Sequence, residues 1–430
     1  MAPVPQVLRV PDFRKVWLAS LASNAGSWLQ VVAGGWLILQ LTHSPAAVGA
    51  LALVMRGPAV LLSTYAGGLA DRFDRRTIGI WTFLLQAVAA AALAVLTWAG
   101  HATPAVIYVL TIALGVGFAV GLPAMLALVP ALVPAPQLPQ AVSLNAAGIN
   151  VARLAGPAIG GVTLALAGPG ACFAVNAISF LAMVVALATL AESPGVRARA
   201  PERRGSRAAL IHAVRDPAAR RLLIGMAIFT CLAAPAQELA PVVAKNLGAG
   251  AIGLGMLLGA MGGGALVGAW ALDRLERGGY PRHQALPTAT LGFAVGLFAL
   301  VAAPALPVAI VAMGFSGVFW IWMYAATNTA IQLTSPPELL GRMLGLYQLS
   351  VIGPIALGSV AAGGVAEWLG IRWSLGICAG LLAAWGLWSI THRVPEIDRI
   401  AALDAPSLAG GLRDGLLAGR ERAESRSGLE

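Results

Sequence analysis

The sequence predicts an all-α membrane protein with twelve transmembrane helices in two six-helix parallel-repeat halves. Three observations predict it. Of 430 residues, 58% are hydrophobic and 11% charged, with a mean hydropathy of +0.81; a soluble domain averages about 25% charged residues. The apolar residues gather into runs near the ~20 residues that a helix needs to cross a bilayer. A charged cluster between two such runs, Gly67-Gly68-Leu69-Ala70-Asp71-Arg72-Phe73-Asp74-Arg75-Arg76, has an echo 202 residues later in Asp273-Arg274-Leu275-Glu276-Arg277. Asp71, Arg72 and Arg75 map onto Asp273, Arg274 and Arg277.

The predicted spans are 16–40, 45–70, 77–99, 104–128, 141–166, 171–191, 221–244, 250–271, 284–303, 306–332, 343–366 and 373–391. Spans 9 and 10 are divided only by Ala303-Pro304-Ala305-Leu306-Pro307. The predicted organisation is a first half over 1–191, a basic linker over 192–220, a second half over 221–392 and a polar tail over 393–430. Fifty-one Gly and 27 Pro would weaken a soluble helical protein. In membrane helices both are more frequent, and Gly lets backbones approach closely. Residues 1–15, with prolines and charges, do not read as a secretory leader.

Twelve spans place both termini on one side. Twenty-four of the 28 Lys and Arg fall on that side, while the loops opposite hold only Lys245 and Arg372. The positive-inside rule makes the basic side cytoplasmic. The same asymmetry accounts for the net charge of +10 without a nucleic-acid partner. Eight arginines lie in the central loop, including Arg197, Arg199, Arg203 and Arg204. They read as a solvated, topology-setting segment, with membrane lipid headgroups as neighbours.

Other chemistries find little support. Cys172, Cys231 and Cys378 stand singly in apolar runs and read as small core residues, so no metal site and no cofactor is expected. There is no P-loop and no nucleophile elbow. An intramembrane enzyme would need convergent catalytic polar residues that the spans do not supply, so the chain is not expected to be an enzyme.

The repeat extends to the loops after spans 4 and 10. In Leu132-Val133-Pro134-Ala135-Pro136-Gln137-Leu138 and Leu333-Thr334-Ser335-Pro336-Pro337-Glu338-Leu339, Leu132, Pro136 and Leu138 map onto Leu333, Pro337 and Leu339 at an offset of 201. Offsets of 202 and 201 at the same topological positions imply parallel repeats, with a binding site near the midplane between them.

These residues also carry a family resemblance. Gly67-x-x-x-Asp71-Arg72-x-x-Arg75-Arg76 resembles the loop between spans 2 and 3 of the major facilitator superfamily, departing at Asp74, where that pattern usually has Gly. Gly156-Pro157-Ala158-Ile159-Gly160-Gly161 resembles the Gly-Pro motif of antiporter-type members. Leu144-Asn145, Asn150, Arg153 and Gly156-Pro157, with Asn176-x-x-Ser179-Phe180, are similar to the bacterial enterobactin and macrolide exporter branch. The resemblance implies the major facilitator fold, alternating access, and a cavity lined by spans 1, 4, 7 and 10. It also implies a bacterial inner membrane as the location, and that the loops of Gly67, Asp71, Arg72, Arg75, Arg76, Asp273, Arg274 and Arg277 act as a conformational switch, in which Asp71 engages Arg72, Arg75 or the start of span 11 near Arg342.

Polar residues inside spans are few, and a charge at the bilayer centre is usually functional. Glu238 is the acidic residue well inside a span; Glu367 lies at the outer end of span 11. Glu238 falls between Pro235 and Pro241, which disrupt the helix. A carboxyl in a low-dielectric site can take up and release a proton near neutral pH, so Glu238 is the candidate for proton coupling; its bland reading is a rim carboxylate. Arg56 in span 2 meets either an anionic substrate or a polar group on a neighbouring span. Arg153 shares a helical face with Gly156 and Gly160, and with Pro157 this face is expected to pack against another helix, span 8 with Gly259 and Gly262–264 being the expected partner; Arg153 itself reads as capping carbonyls or holding the two halves together rather than binding substrate. Further cavity candidates are Asn24, Trp28 and Gln30 in span 1, Gln237 in span 7, and Trp320, Tyr324, Asn328 and Gln332 in span 10. The aromatic members suit a large, partly aromatic solute; core packing or lipid exposure is the alternative.

The expected function is secondary active transport: proton-coupled efflux of a small amphipathic organic compound, drug- or siderophore-like, by a chain acting as a monomer. An importer or facilitator of a small metabolite, or a transporter-shaped receptor, is the alternative.

Overall fold

The computed structural model describes residues 6–190, 205–336 and 338–392, with the side chains of 66–72, among a few others, excepted. Residues 192–204 of the linker and the 393–430 tail therefore lie outside the described residues, as do the side chains of the predicted switch residues Gly67, Asp71 and Arg72.

The described residues fold into helices joined by short turns. Its elements are α1 (Pro11–Thr42), α2 (Pro45–Arg72), α3 (Arg75–Trp98), α4 (Pro104–Leu128), α5 (Leu138–Ala188), α6 (Gly205–Arg215), α7 (Pro217–Ala233), α8 (Pro235–Glu238), α9 (Ala240–Asn246), α10 (Gly250–Arg277), α11 (Arg282–Ala302), α12 (Leu306–Thr334), α13 (Leu340–Leu369) and α14 (Ile371–Thr391). Pro11, Pro45, Pro104 and Pro217 open their helices, where the fixed φ suits the first turn and no N–H is missed. Asp74 and Asp216 cap α3 and α7 by accepting from the N–H groups of Thr77 and Ala218.

Among the described residues ten helices are long and apolar enough to cross a membrane. One of them, α5, crosses twice. Gly168 breaks it at φ 76° and ψ 176°, a conformation that a side chain resists, and Pro169 restarts the helix. The polar-rich α1, 32 residues long, completes the twelve spans. Span 7 is divided into α7, α8 and α9, with the breaks at Pro235 and just before Pro241. The proline N–H groups are missing there, and the helix cannot run on undisturbed. Bulky apolar side chains such as Leu61, Trp81, Leu166, Val311 and Trp368 lie exposed on the outside, as a lipid-facing surface requires.

The loops at residues 73–74 and 278–281 share the basic face with the start of α1; residues 43–44, 247–249 and 370 turn on the opposite face. The halves meet chiefly through α2 on α13 and α5 on α10. Both seams run on small residues. A Cβ on Gly161 would come 2.6 Å from the Gly255 Cα, and one on Gly363 would come 2.8 Å from the Pro45 carbonyl. Without side chains there, the backbones touch and dispersion contacts form along their length.

One expectation is corrected here. Gly156 and Gly160 do not face α10. A Cβ on Gly156 would strike Trp28, and one on Gly160 would meet Leu29 and Val32, all on α1 of the same half. The seam with α10 is formed instead by Gly161 and by the Arg153–Leu154 and Pro157 backbone, against Gly255 and Gly262. One residue turns a helix by about 100°, enough to move the contact to a different neighbour.

Candidate functional site

A cavity of about 530 Å³ opens within the first half. Ser20, Ser23, Asn24, Ser27, Gln30 and Val31 line it from α1, at the three- and four-residue steps that place side chains on one helical face. The wall opposite is apolar, with Phe83, Leu114, Phe118, Met125 and Phe180. It runs from Met55 and Arg56 near mid-membrane to Leu126, Val142 and Asn145, next to the turns on the basic face. A few polar groups on a largely apolar wall fit an amphipathic solute.

At its deep end the cavity narrows to a smaller void of about 50 Å³ that shares Gln30, Val31, Met55 and Arg56 and adds Gln237, Glu238 and Pro241 from the second half. Here Arg56 Nη2 donates to Glu238 Oε1 at 2.7 Å. Of the two alternatives left open at Arg56, pairing with a neighbouring span is the one seen. The Glu238 side chain is 9% exposed and that of Arg56 25%. Glu238 is the last residue of α8, just before the break at Leu239, and its side chain reaches across to α2.

Behind the α1 stripe, Asn176 Nδ2 donates to Gln30 Oε1 at 2.7 Å, and Ser179 Oγ bonds the Asn176 carbonyl. Gln30 is thus held in place by a buried amide. Trp28 and Gln237 line a third, water-sized space with Arg153, Pro157 and Trp320. Tyr324 stacks on Trp320 with ring centroids 5.1 Å apart. Asn328 and Gln332 bond each other on α12 and line none of these cavities. Sequence reasoning missed Ser20, Ser23, Ser27, Gln86 and Asn145 as lining residues. The signal for the serines was present, as a polar stripe of helical period in an apolar span.

On the basic face the charged residues tie down helix ends. Arg75 Nη1 bonds the Ala127 carbonyl at the end of α4, and Arg76 Nη2 the Ala188 carbonyl at the end of α5. Asp74, in the position where Gly was expected, accepts from both the N–H and the hydroxyl of Thr77 at 2.9 Å. Partial burial alone would raise the Asp74 carboxyl; the Thr77 hydrogen bonds and the nearby Arg76 charge outweigh it and hold the group below its ordinary value. In the repeat, Arg277 Nη2 lies 2.6 Å from Asp273 Oδ2 one turn away, and Arg274 lies over the Trp270 ring at 5.7 Å.

On the opposite face two polar ties cross between the halves. Ser44 Oγ donates to Glu367 Oε2 at 2.7 Å, and Lys245 Nζ lies 3.2 Å from His43 Nδ1.

Two helical bundles meeting on small-residue seams, with a largely apolar cavity ending on an intramembrane ion pair between them, are the architecture of a membrane transporter. The chain belongs to the transmembrane secretion effector family of the major facilitator superfamily, whose model matches residues 2–412. It is similar to the enterobactin exporter EntS of Salmonella choleraesuis (strain SC-B67), 28% identical over 364 residues, which cover 83% of this chain and 86% of that protein. Among solved structures, a bacterial homolog of the human lysosomal transporter Spinster, in an inward-facing and occupied conformation, superposes with a TM-score of 0.74 at 14% identity, covering 91% of this chain and 99% of that one. A bacterial homologue of the iron transporter ferroportin gives 0.70 at 16% identity, covering 90% and 99%. These likenesses establish the fold, and the chain is a multi-pass membrane transporter rather than an enzyme.

Proposed function

We propose that this protein is a proton-coupled exporter of a small amphipathic organic compound, working from a bacterial inner membrane with both termini cytoplasmic. The observation that carries the reading is the Arg56–Glu238 ion pair, which joins the two halves at the neck of the cavity. With Glu238 ionised, the pair holds α2 to α8. A proton on Glu238 removes the charge that Arg56 faces and so weakens the tie between the halves. Proton uptake from the outer side thereby favours the arrangement in which the halves part differently, and release to the inner side restores the pair. The large cavity, reached from the basic face, then loads cargo from the cytoplasm. Support for the direction and the cargo class comes from the name of the exporter relatives and from the amphipathic cavity wall.

The test is flux in proteoliposomes under an imposed pH gradient. Wild type should concentrate an amphipathic dye against its gradient. Glu238→Gln keeps the shape of the side chain and mimics its protonated form; it should abolish the pH-driven component and leave downhill exchange measurable. If Glu238→Gln concentrates the dye like wild type, Glu238 is not the coupling site and a facilitator or another driving ion becomes the better account.

A further inference from the structure

We propose that Arg153, together with Trp28, Gln237 and Trp320, forms a subsite that receives the oxyanion end of an aromatic organic anion. The proposal rests on the transporter reading above and adds the chemistry of the cargo.

Arg153 lies in the middle of its span on α5, where its backbone carbonyl packs against Gly262 of α10. An intramembrane guanidinium needs a counter-charge or several acceptors. Among the described residues, no hydrogen bond or ion pair forms on the Arg153 side chain. The one intramembrane carboxylate nearby, Glu238, is already engaged by Arg56. Arg56, Arg153 and Glu238 all bear electrostatically on the Tyr324 hydroxyl, so the region carries two guanidiniums to one carboxylate.

A second, independent observation falls at the same place. Trp320 is 4% exposed, and its indole N–H is buried without an acceptor. A buried polar group without a partner is costly and rare, and points to something that completes it. Arg153 and Trp320 line one void of about 10 Å³ between the halves. That is about the space of a single water or one oxygen atom.

What the void wants follows from its walls. Arg153 offers donors only, and so does the Trp320 indole; the Gln237 amide can add another. A neutral water would leave the excess charge in place, whereas the oxygen of a carboxylate or phenolate satisfies donors and charge together. Trp28 and Trp320, the latter stacked on Tyr324, are the aromatic side chains beside that oxygen, and a ring attached to it would meet them where the halves part. Anion binding at Arg56 would require displacing Glu238; at Arg153 no described carboxylate has to be displaced.

The experiment measures equilibrium binding of labelled 1-naphthoate and of neutral 1-naphthamide to the purified full chain in detergent, in gluconate buffer and again in chloride. Wild type should prefer the carboxylate over the amide. Arg153→Gln should weaken naphthoate by about tenfold or more, the worth of a charge-assisted hydrogen bond, and leave naphthamide unchanged; Arg153→Lys should recover part of the preference. A purely structural arginine would not move the carboxylate-to-amide ratio. The proposal fails if wild type does not bind naphthoate, or if Arg153→Gln binds it like wild type. It also fails if chloride stabilises wild type but not Arg153→Gln while naphthoate affinity is equal in both, which would mark a site for an inorganic ion. The Glu238→Gln flux experiment reads proton coupling separately, so either idea can fall alone.

Discussion

Arg56 on α2 and Glu238 at the end of α8 lie 182 residues apart in sequence and 2.7 Å apart in space. The contact joins two halves that elsewhere meet mainly through glycine and backbone. It is a polar tie at the centre of a small-residue seam, and it closes the deep end of the cavity.

Its energetics give the first prediction. Breaking a fully buried pair by removing one partner costs about 3–5 kcal/mol, while removing both together costs far less. Water reaches Arg56, so each single change, Arg56→Gln or Glu238→Gln, should cost about 1–3 kcal/mol. The double variant should be more stable than the sum of the two losses implies. Thermal unfolding in detergent of the four proteins closes the cycle. Strictly additive losses would mean that the two charges do not stabilise each other.

The α5–α10 seam gives the second. Gly161→Leu would drive a side chain into the Gly255 backbone and part the halves; Gly160→Leu would press on Leu29 and Val32 of α1, inside one half. Overpacking costs about 1–3 kcal/mol in either place. Only Gly161→Leu should also raise the proton permeability of liposomes, because only it opens the seam between halves. A comparable leak from both variants would show that the seam does not seal the pathway.

Much of this was legible in the sequence. Twelve spans follow from apolar run lengths, and the kinked span 7 from Pro235 and Pro241. The break at Gly168 falls between two predicted spans, at a Gly-Pro pair. What sequence could not supply was azimuth. Gly160 and Gly161 look equivalent in a string of small residues, yet they face different helices. Arg56 read as meeting either a substrate or some polar group on a neighbouring span, and Glu238 could not be picked out as that partner, because nothing local links residues so far apart. Asp74 read as a departure from a motif, while its cap on α3 depends on the turn geometry around Thr77.

Asp74 gives the third prediction. Loss of an N-cap costs about 1 kcal/mol, so Asp74→Ala should be destabilised by roughly that amount at neutral pH. The folded carboxyl lies below its ordinary value, so the cap's charge-dependent part is fully present above the unfolded carboxylate's pKa and is lost as pH falls through the folded one. The stability gap between wild type and Asp74→Ala should therefore shrink on acidification below about pH 4. Unfolding temperatures of both proteins across an acid series measure it; a gap that widens toward low pH would contradict the sign.

Glu367 gives the fourth. Its Oε2 accepts from the Ser44 hydroxyl at 2.7 Å and from the Ala46 N–H at 3.3 Å, and the Ser44 hydroxyl in turn accepts from the Ala47 N–H. A carboxylate from α13 thus caps the N-terminus of α2, where unsatisfied N–H groups and the helix dipole favour an anion. One turn away Gly363 packs against the Pro45 carbonyl, so the cap fastens the seam that closes the face opposite the cavity mouth. Glu367→Gln keeps the shape and removes the charge. It should speed hydrogen–deuterium exchange in the first turns of α2, at residues 45–50, and leave exchange at the start of α3, at residues 75–80, as in wild type. Ser44→Ala should produce a smaller change at the same amides. Exchange at residues 45–50 that is equal in wild type and Glu367→Gln would mean that glycine packing alone holds this face shut.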